Sequence, residues 1–251
     1  MKKLHFLFLS LFIVFSACKK KKTDEPVVCD PSDQMEVHLI PKLDGQNYAL
    51  NQIIVSPQGY RYFFTEIKIL GTDVANGSNV LSDSYYYDFY TSGTLMRTGS
   101  GLKSDFANLS LNIGVPTTLN HANPALPAST SALNISNCGD MHWGWNPGYI
   151  FVKLEGKVDT LDNGIDNFDH NFVFHLGMDP IFRTLNFSGM NWISLGENKY
   201  RTNLLLQVKD IFDKPGEELD LRVDYSSHST NTQMFLSNSV VDKLVNAVEK
   251  E

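Results

Sequence analysis

The sequence predicts an all-β protein: a β-sandwich of about eight or more antiparallel strands with long loops and a short C-terminal helix. Two patterns carry that expectation. Short β-rich stretches recur from Met35 onward between clusters of Gly, Pro, Asn and Asp. Helical periodicity is absent until about the last fifteen residues. Composition narrows the class further. At 42% hydrophobic and 20% charged the chain is too apolar for disorder and too charged for a bundle of membrane spans. A net charge of -7 gives nothing to draw the whole molecule to nucleic acid.

In chain order, the first element to justify is one that does not belong to the fold. Met1 to Lys3 is a short basic start, Leu4 to Phe15 is an apolar run too short to span a bilayer, and Ser16-Ala17 places small residues before Cys18. Residues 1–17 therefore read as a secretion signal. Its end resembles the lipobox of bacterial lipoproteins, in which cleavage precedes the cysteine and the cysteine carries the lipid, so Cys18 is the expected attachment point. An ordinary signal peptide with a free Cys18 is the alternative. Residues 18–33, with Lys19 to Lys22 followed by Thr23, Asp24, Glu25 and Pro26, read as a solvated tether. The expected location is a bacterial membrane surface, facing the periplasm or the exterior.

Residues 34–251 read as a single sandwich domain. Strands are expected over 35–40, 60–70, 85–90, 109–113, 149–158, 171–176, 203–209 and 219–225. In the 149–158 stretch, Ile150, Val152 and Leu154 share one face while Tyr149, Phe151, Lys153 and Lys157 share the other, the signature of a half-buried strand. At the end, Val240, Val241, Leu244, Val245 and Val248 recur at helical spacing, so 239–251 is expected as an amphipathic helix.

Between strands, residues 112–140 carry three prolines and little strand pattern, which points to a structured excursion serving a site. Asp159, Asp162, Asp166 and Asp169 cluster in one loop, but their spacing fails the EF-hand template and a solvated turn is expected. Nucleotide loops, the nucleophile elbow and the His-Glu-x-x-His helix are all absent from the sequence, and the chain is expected not to be an enzyme.

Soft metal donors are the chemistry that remains. Cys29 and Cys138 are expected to pair in an oxidising compartment, a cross-link worth about 4–5 kcal/mol in the chain-entropy account. Alternatively Cys138 serves as a thiolate ligand. The run Cys138-Gly139-Asp140-Met141-His142-Trp143-Gly144-Trp145-Asn146-Pro147-Gly148-Tyr149 holds two of the three tryptophans beside a thioether and an imidazole. If extended, it sends Met141, Trp143 and Trp145 one way and His142 the other. A thioether suits Cu(I), but Trp and Met also fill cores. His38 and His175 each sit among apolar strand residues, as satisfied core groups or as ligands, whereas His121, His170 and His228 look solvent-facing.

Five blocks, in order, resemble the MbnP-like copper-binding proteins. They are His38 followed by Leu43-Asp44-Gly45; Tyr60-Arg61-Tyr62-Phe63-Phe64-Thr65-Glu66-Ile67-Lys68-Ile69; Leu111-Asn112-Ile113-Gly114-Val115; the Met-x-Trp-x-Trp-x-x-Gly-Tyr block at 141–149 running to Leu154-Glu155-Gly156; and Phe174-His175-Leu176-Gly177. The resemblance covers most of the mature chain and implies an exported, often lipid-anchored β-sandwich that binds copper for transfer, storage or sensing. It implies His38 and His175 as metal-site histidines with Met141 beside them, and His142 as a weaker ligand. It also implies a partner resembling a di-haem cytochrome c peroxidase, and Trp143 or Trp145 as a tryptophan oxidised to kynurenine. Met178 stands where a second glycine is expected after His175. Copper affinity is expected to fall on acidification, because imidazole must be neutral to bind. Two other readings are a surface module stacking glycans on Tyr85, Tyr86, Tyr87 and Tyr90, and a lipoprotein enzyme such as a glycosidase or oxidase.

Overall fold

A computed structural model describes residues 32–144, 147–161, 165 and 167–251. The expected signal, Cys18, Cys29, Trp145, Asp162 and Asp166 lie outside the described residues. Strands β1 (Asp33–Leu43) and β2 (Gln46–Asn47) form a hairpin, and β3 (Ile54–Val55) leads into the long β4 (Arg61–Asn76). Next, β5 (Asn79–Asp88) returns along β4, and α1 (Phe89–Ser92) turns the chain into β6 (Leu95–Gly101). Then come β7 (Asn108–Ile113), α2 (Thr117–Asn120), β8 (Ile150–Asp159) and β9 (His170–Gly177). The last third runs through β10 (Arg183–Ser188), β11 (Ile193–Gly196), β12 (Lys199–Gln207), α3 (Asp210–Asp213), β13 (Ser226–Ser227), α4 (Met234–Asn246) and β14 (Val248–Lys250).

These strands make two curled sheets. The first is built on β1 and β12, with β11 and β14 along β12, and β2 and β6 along β1. The second runs β10-β7-β4-β8-β9-β13, with β3 and β5 also pairing β4. Alternation decides which side chains lie between them. Met35, Val37 and Leu39 of β1, Ile150, Val152 and Leu154 of β8, and Phe172, Phe174 and Leu176 of β9 are all buried in one core. Phe151 and Lys153 point to the opposite face of β8, yet both are buried. The 114–149 excursion covers them: Gly114 packs against the Phe151 ring, and Asp140 pairs with Lys153.

Several expectations change in the structure. The pairings of β1 with β12 and of β13 with β9 are parallel, which antiparallel hairpins cannot produce but long crossovers between distant segments can. Residues 219–225 do not form a strand. Leu219 and Leu221 are buried as the alternation anticipates, but their backbone groups bond the Tyr60 hydroxyl, which donates to Leu219 O and accepts from Leu221 N–H. The C-terminal helix starts at Met234 and ends at Asn246, because β12 offers a free edge that β14 takes up. The expected tyrosine platform is mostly core: Tyr85 and Tyr87 are fully buried with hydroxyls on backbone carbonyls, Tyr86 is half-buried, and Tyr90, at 82% exposed, stands alone. That removes the feature on which glycan stacking rested.

At one end of the core, Phe64, Phe172, Phe174 and Phe212 pack ring on ring around Tyr62, with Phe64 and Phe212 stacked at 5.5 Å. Each such burial contributes about 1.5–3 kcal/mol. Asp213 is buried beside them, accepting from the Ser56 hydroxyl at 2.7 Å and the Tyr62 hydroxyl at 3.0 Å. Burial pushes its carboxyl up, and the two hydroxyl bonds pull part of the way back. A raised folded-state value means the folded protein holds the Asp213 proton more tightly than the unfolded chain, so this group costs stability as pH rises through that window. Tyr62→Phe should therefore destabilise the protein by about 1–3 kcal/mol at neutral pH, with the deficit shrinking in acid as Asp213 protonates. Urea unfolding of both proteins across pH 4–7 measures it.

Candidate metal centre

His38 and His175 occupy equivalent places in the strand pattern and different places in the molecule. Each is flanked by buried residues, Val37 and Leu39 for the first, Phe174 and Leu176 for the second, so each imidazole leaves the core side of its own sheet. On the first sheet, His38 Nε2 lies 3.1 Å from Glu36 Oε2 and Nδ1 lies 3.0 Å from Thr94 Oγ1. A carboxylate only accepts, which assigns the proton to Nε2 and leaves Nδ1 accepting from the Thr94 hydroxyl. Both ring nitrogens are engaged.

On the second sheet, His175 Nε2 lies 2.6 Å from Glu155 Oε1, so Nε2 carries the proton. Nδ1 takes no hydrogen bond among the described residues. Glu155 sits on β8, and Lys153 is directly opposite His175 in the β8–β9 register. The Lys153 ammonium reaches Glu66 at 3.0 Å and Glu155 at 3.5 Å and pairs with Asp140, while Lys68 reaches Asp140 at 3.0 Å and Glu66 at 3.2 Å. Partial burial works against the Asp140 carboxylate, but its hydrogen bonds to Lys153 and Lys68 outweigh that and bring it down to about 2. Burial also opposes the Glu155 carboxylate, and the His175 bond with the Lys153 charge lowers it below the usual range.

Two more aromatic groups approach His175. The His228 ring lies 4.9 Å from it, centroid to centroid, at 73°. Burial and the nearby His175 push the His228 imidazole down, favouring its neutral form. Trp143 packs over Gly177, two residues along the same face of β9. A Cβ at Gly177 would lie 2.7 Å from the Trp143 ring and 2.5 Å from Tyr149 O, so only glycine fits.

The rest of the 141–149 block divides differently from the expected alternation. Met141 is fully buried in the core, with its N–H on Cys138 O and its carbonyl accepting from Ile150 N–H. His142 bridges to Tyr149, whose ring meets the imidazole edge-on at 4.6 Å. His142 Nδ1 accepts from Gly144 N–H at 2.9 Å, which leaves the proton on Nε2, a buried atom without a partner. Ligation through Nε2 would require moving that proton to Nδ1 and orphaning Gly144 N–H. The Cys138 thiol is free among the described residues and buried, pointing to Ile135 O and Gly139 O, and burial pushes it up, away from the thiolate form. Its expected partner Cys29 lies outside the described residues.

Of the four expected ligands, then, the structure sets His175 near Trp143, buries Met141 in the core, ties down both nitrogens of His38 on the other sheet, and turns His142 onto Tyr149. No hydrogen bond, ion pair or ring contact links His38 to the other three among the described residues, and no three His, Cys, Asp or Glu side chains there form a set able to hold a metal by themselves. Glu155 and His228 join the cluster instead. Alternation on β8 places Glu155 on the face of Lys153 and could have found it; His228 lies in a coil, and its position depends on the flanking Ser227 and Ser229, whose buried hydroxyls bond Ser237 of α4.

Met178 follows directly. Its backbone at φ 72°, ψ 157° occupies a region that is essentially reserved for glycine. Such strain persists only where neighbours hold it. Here Asp179 accepts from Asn120 at 3.0 Å and lies 3.2 Å from His121.

The β-sandwich thus gathers imidazole, indole and carboxylate on the outer face of its second sheet. The family model MbnP matches residues 32–242, and the chain belongs to the MbnP family. Among solved structures, MbnP from Methylosinus trichosporium is similar, with a TM-score of 0.53 and 15% identity over 79% of this chain and 84% of that one. At that identity the likeness establishes a shared fold. No curated protein matches.

Met178→Gly should raise stability by about 1 kcal/mol, the relief of strain exceeding the added entropy of an unfolded glycine. Thermal and urea denaturation will show it; a destabilised variant would mean that the Met178 side chain is worth more than the strain.

Proposed function

We propose that this protein is an exported copper-binding protein, lipid-anchored through Cys18, that holds Cu(I) as cargo on the outer face of its second sheet and performs no catalysis itself. The observation that carries this reading is His175: its Nε2–H is committed to Glu155 at 2.6 Å while Nδ1 is left without a hydrogen bond among the described residues. A carboxylate on the far nitrogen fixes the tautomer of a ligating imidazole and raises its basicity, and the loss of such a partner typically lowers metal affinity about 10–100-fold. The donor chemistry fits. Neutral imidazole suits Cu(I) in a low-coordinate site, and the half-buried Trp143 ring packs over Gly177, two residues along the same strand face. Membership of the MbnP family supports the same cargo. With copper bound for transfer, storage or sensing, Glu155 orients His175, and Lys153 orients Glu155.

The half-buried Trp143, packed over Gly177 near His175, is in this reading the indole that a di-haem peroxidase-like partner oxidises to kynurenine. Trp145 lies outside the described residues. Peptide mass mapping of natively expressed protein should find the modification at Trp143 when the partner enzyme is present; unmodified Trp143 in its presence would count against this part.

Metal analysis of the purified native protein, followed by anaerobic Cu(I) titration, tests the whole. His175→Ala should lose copper and His38→Ala should keep it, with affinity in the wild type falling as the pH drops through the imidazole range. Unchanged stoichiometry and affinity in His175→Ala would sink the site as placed.

A further inference from the structure

Where the 114–149 excursion meets β5 it leaves a concavity of about 400 Å³. Leu119, Ala122, Leu126, Pro127, Leu133 and Tyr149 give it apolar walls, and Asp83 of β5 is its only charged lining residue among the described residues. None of His175, His228, Glu155 or Trp143 lines it. Its volume lies at the lower end of small-molecule sites, about 300–1,000 Å³, which suits one ring with a short arm.

The loop that forms the concavity is held from within and from the sheet. Asn134 Nδ2 donates to Pro127 O at 2.8 Å, and Asn137 Nδ2 donates to Ser129 O at 2.7 Å and to Ser131 O at 2.9 Å. Ser84 Oγ lies 3.0 Å from Ser131 Oγ and accepts from Ala132 N–H at 3.2 Å, while the Tyr149 hydroxyl donates to Leu133 O. Leu133 and Tyr149 are thereby buried, whereas Leu126 is 76% exposed and Leu119 45% exposed. One exposed leucine is ordinary; two lining a firm apolar concavity mark a binding surface. An apolar body entering there covers both leucines without reordering the loop, so little of its binding energy is lost to ordering.

Asp83 selects the polar end of the occupant. Its carboxylate makes no hydrogen bond or ion pair among the described residues, while the neighbouring Ser84 and Ser131 hydroxyls are engaged with each other. A carboxylate only accepts hydrogen bonds, and it bonds most strongly to a cationic donor. We infer that this concavity binds a small molecule with an apolar, ring-sized body and a protonated amine, the body against Leu119, Leu126 and Tyr149 and the amine on Asp83. The inference is independent of the copper reading.

The test titrates natively expressed full chain with phenethylammonium, with neutral phenethyl alcohol and with 3-phenylpropionate, read by ligand-observed NMR and calorimetry. Phenethylammonium should bind best and 3-phenylpropionate worst. Asp83→Asn should bind phenethylammonium about fivefold more weakly and no longer prefer it to the alcohol. Leu126→Ser should weaken both the amine and the alcohol, and Ala122→Trp, which fills the concavity, should abolish binding, with circular dichroism confirming that each variant is folded. Absence of saturable phenethylammonium binding up to about 10 mM overturns the inference. So does a carboxylate that binds as well as the amine, or unchanged affinity in both folded cavity variants.

Discussion

Lys68 and Lys153 face each other across β4 and β8, and Glu66 and Glu155 face each other one step further along. Like charges directly opposite on a sheet repel, so this register is tolerable only if the pairs are crossed diagonally and neutralised from outside. Both happen: Lys153 reaches across to Glu66, and the Asp140 carboxylate enters from the covering loop to bind both ammonium groups. The sheet thus requires the loop, and the loop takes its position from the sheet. Since Asp140 immediately precedes Met141, the same contact sets where the 141–149 turn begins. The other end of the turn is fixed by Tyr149, whose N–H donates to the buried Asn120 side chain. Everything that the turn presents to β9, Trp143 above all, inherits its position from these two anchors.

Stability is a poor measure of what this network does. Ion pairs with one mostly buried partner gain little net free energy, since desolvating an ammonium such as Lys153, 8% exposed, offsets much of the attraction. What the network supplies is orientation. Lys153 holds Glu155, Glu155 holds the His175 imidazole in one tautomer, and His175 meets His228. Deleting a middle member would leave a charge uncompensated, a change that typically costs about 3–5 kcal/mol in a buried pair. Charge deletions in this row therefore disturb fold and site together, whereas the histidines at its end can be changed with the row intact.

Local periodicity made the sandwich legible. The strands at 35–40, 109–113 and 171–176 follow from alternation that the structure largely keeps, whereas the strand expected at 149–158 forms but is buried on both faces rather than one. It failed where a long-range acceptor replaced the sheet partner, as Tyr60 does for Leu219 and Leu221, and where edge strands such as β10 and β14 owe their pairing to a distant neighbour rather than to their own pattern. The site was legible in part for the same reason. His175 and Trp143 lie in patterned or motif-bearing segments, whereas His228 sits between serines that look solvent-facing and are buried only because α4 folds over them. A coil residue that is positioned by contacts ten or fifty residues away leaves no periodic trace.

His38, His142 and His175 show why the residue type alone could not rank the candidates. Two of them sit in strands with apolar neighbours on both sides, and the third lies in the motif itself. Their capacity to bind a metal is decided by what occupies the two ring nitrogens. Glu36 and Thr94 saturate His38; Gly144 N–H occupies the only lone pair of His142; and Glu155 takes the proton-bearing side of His175, leaving the basic nitrogen without a hydrogen bond among the described residues. Glu36 is two residues from His38 on its own strand, whereas Glu155 comes from the neighbouring strand. Each imidazole meets a carboxylate, but Thr94 makes the difference: a hydroxyl on the second nitrogen closes one ring, and the lack of one keeps the other available, with the His228 ring 4.9 Å away between centroids.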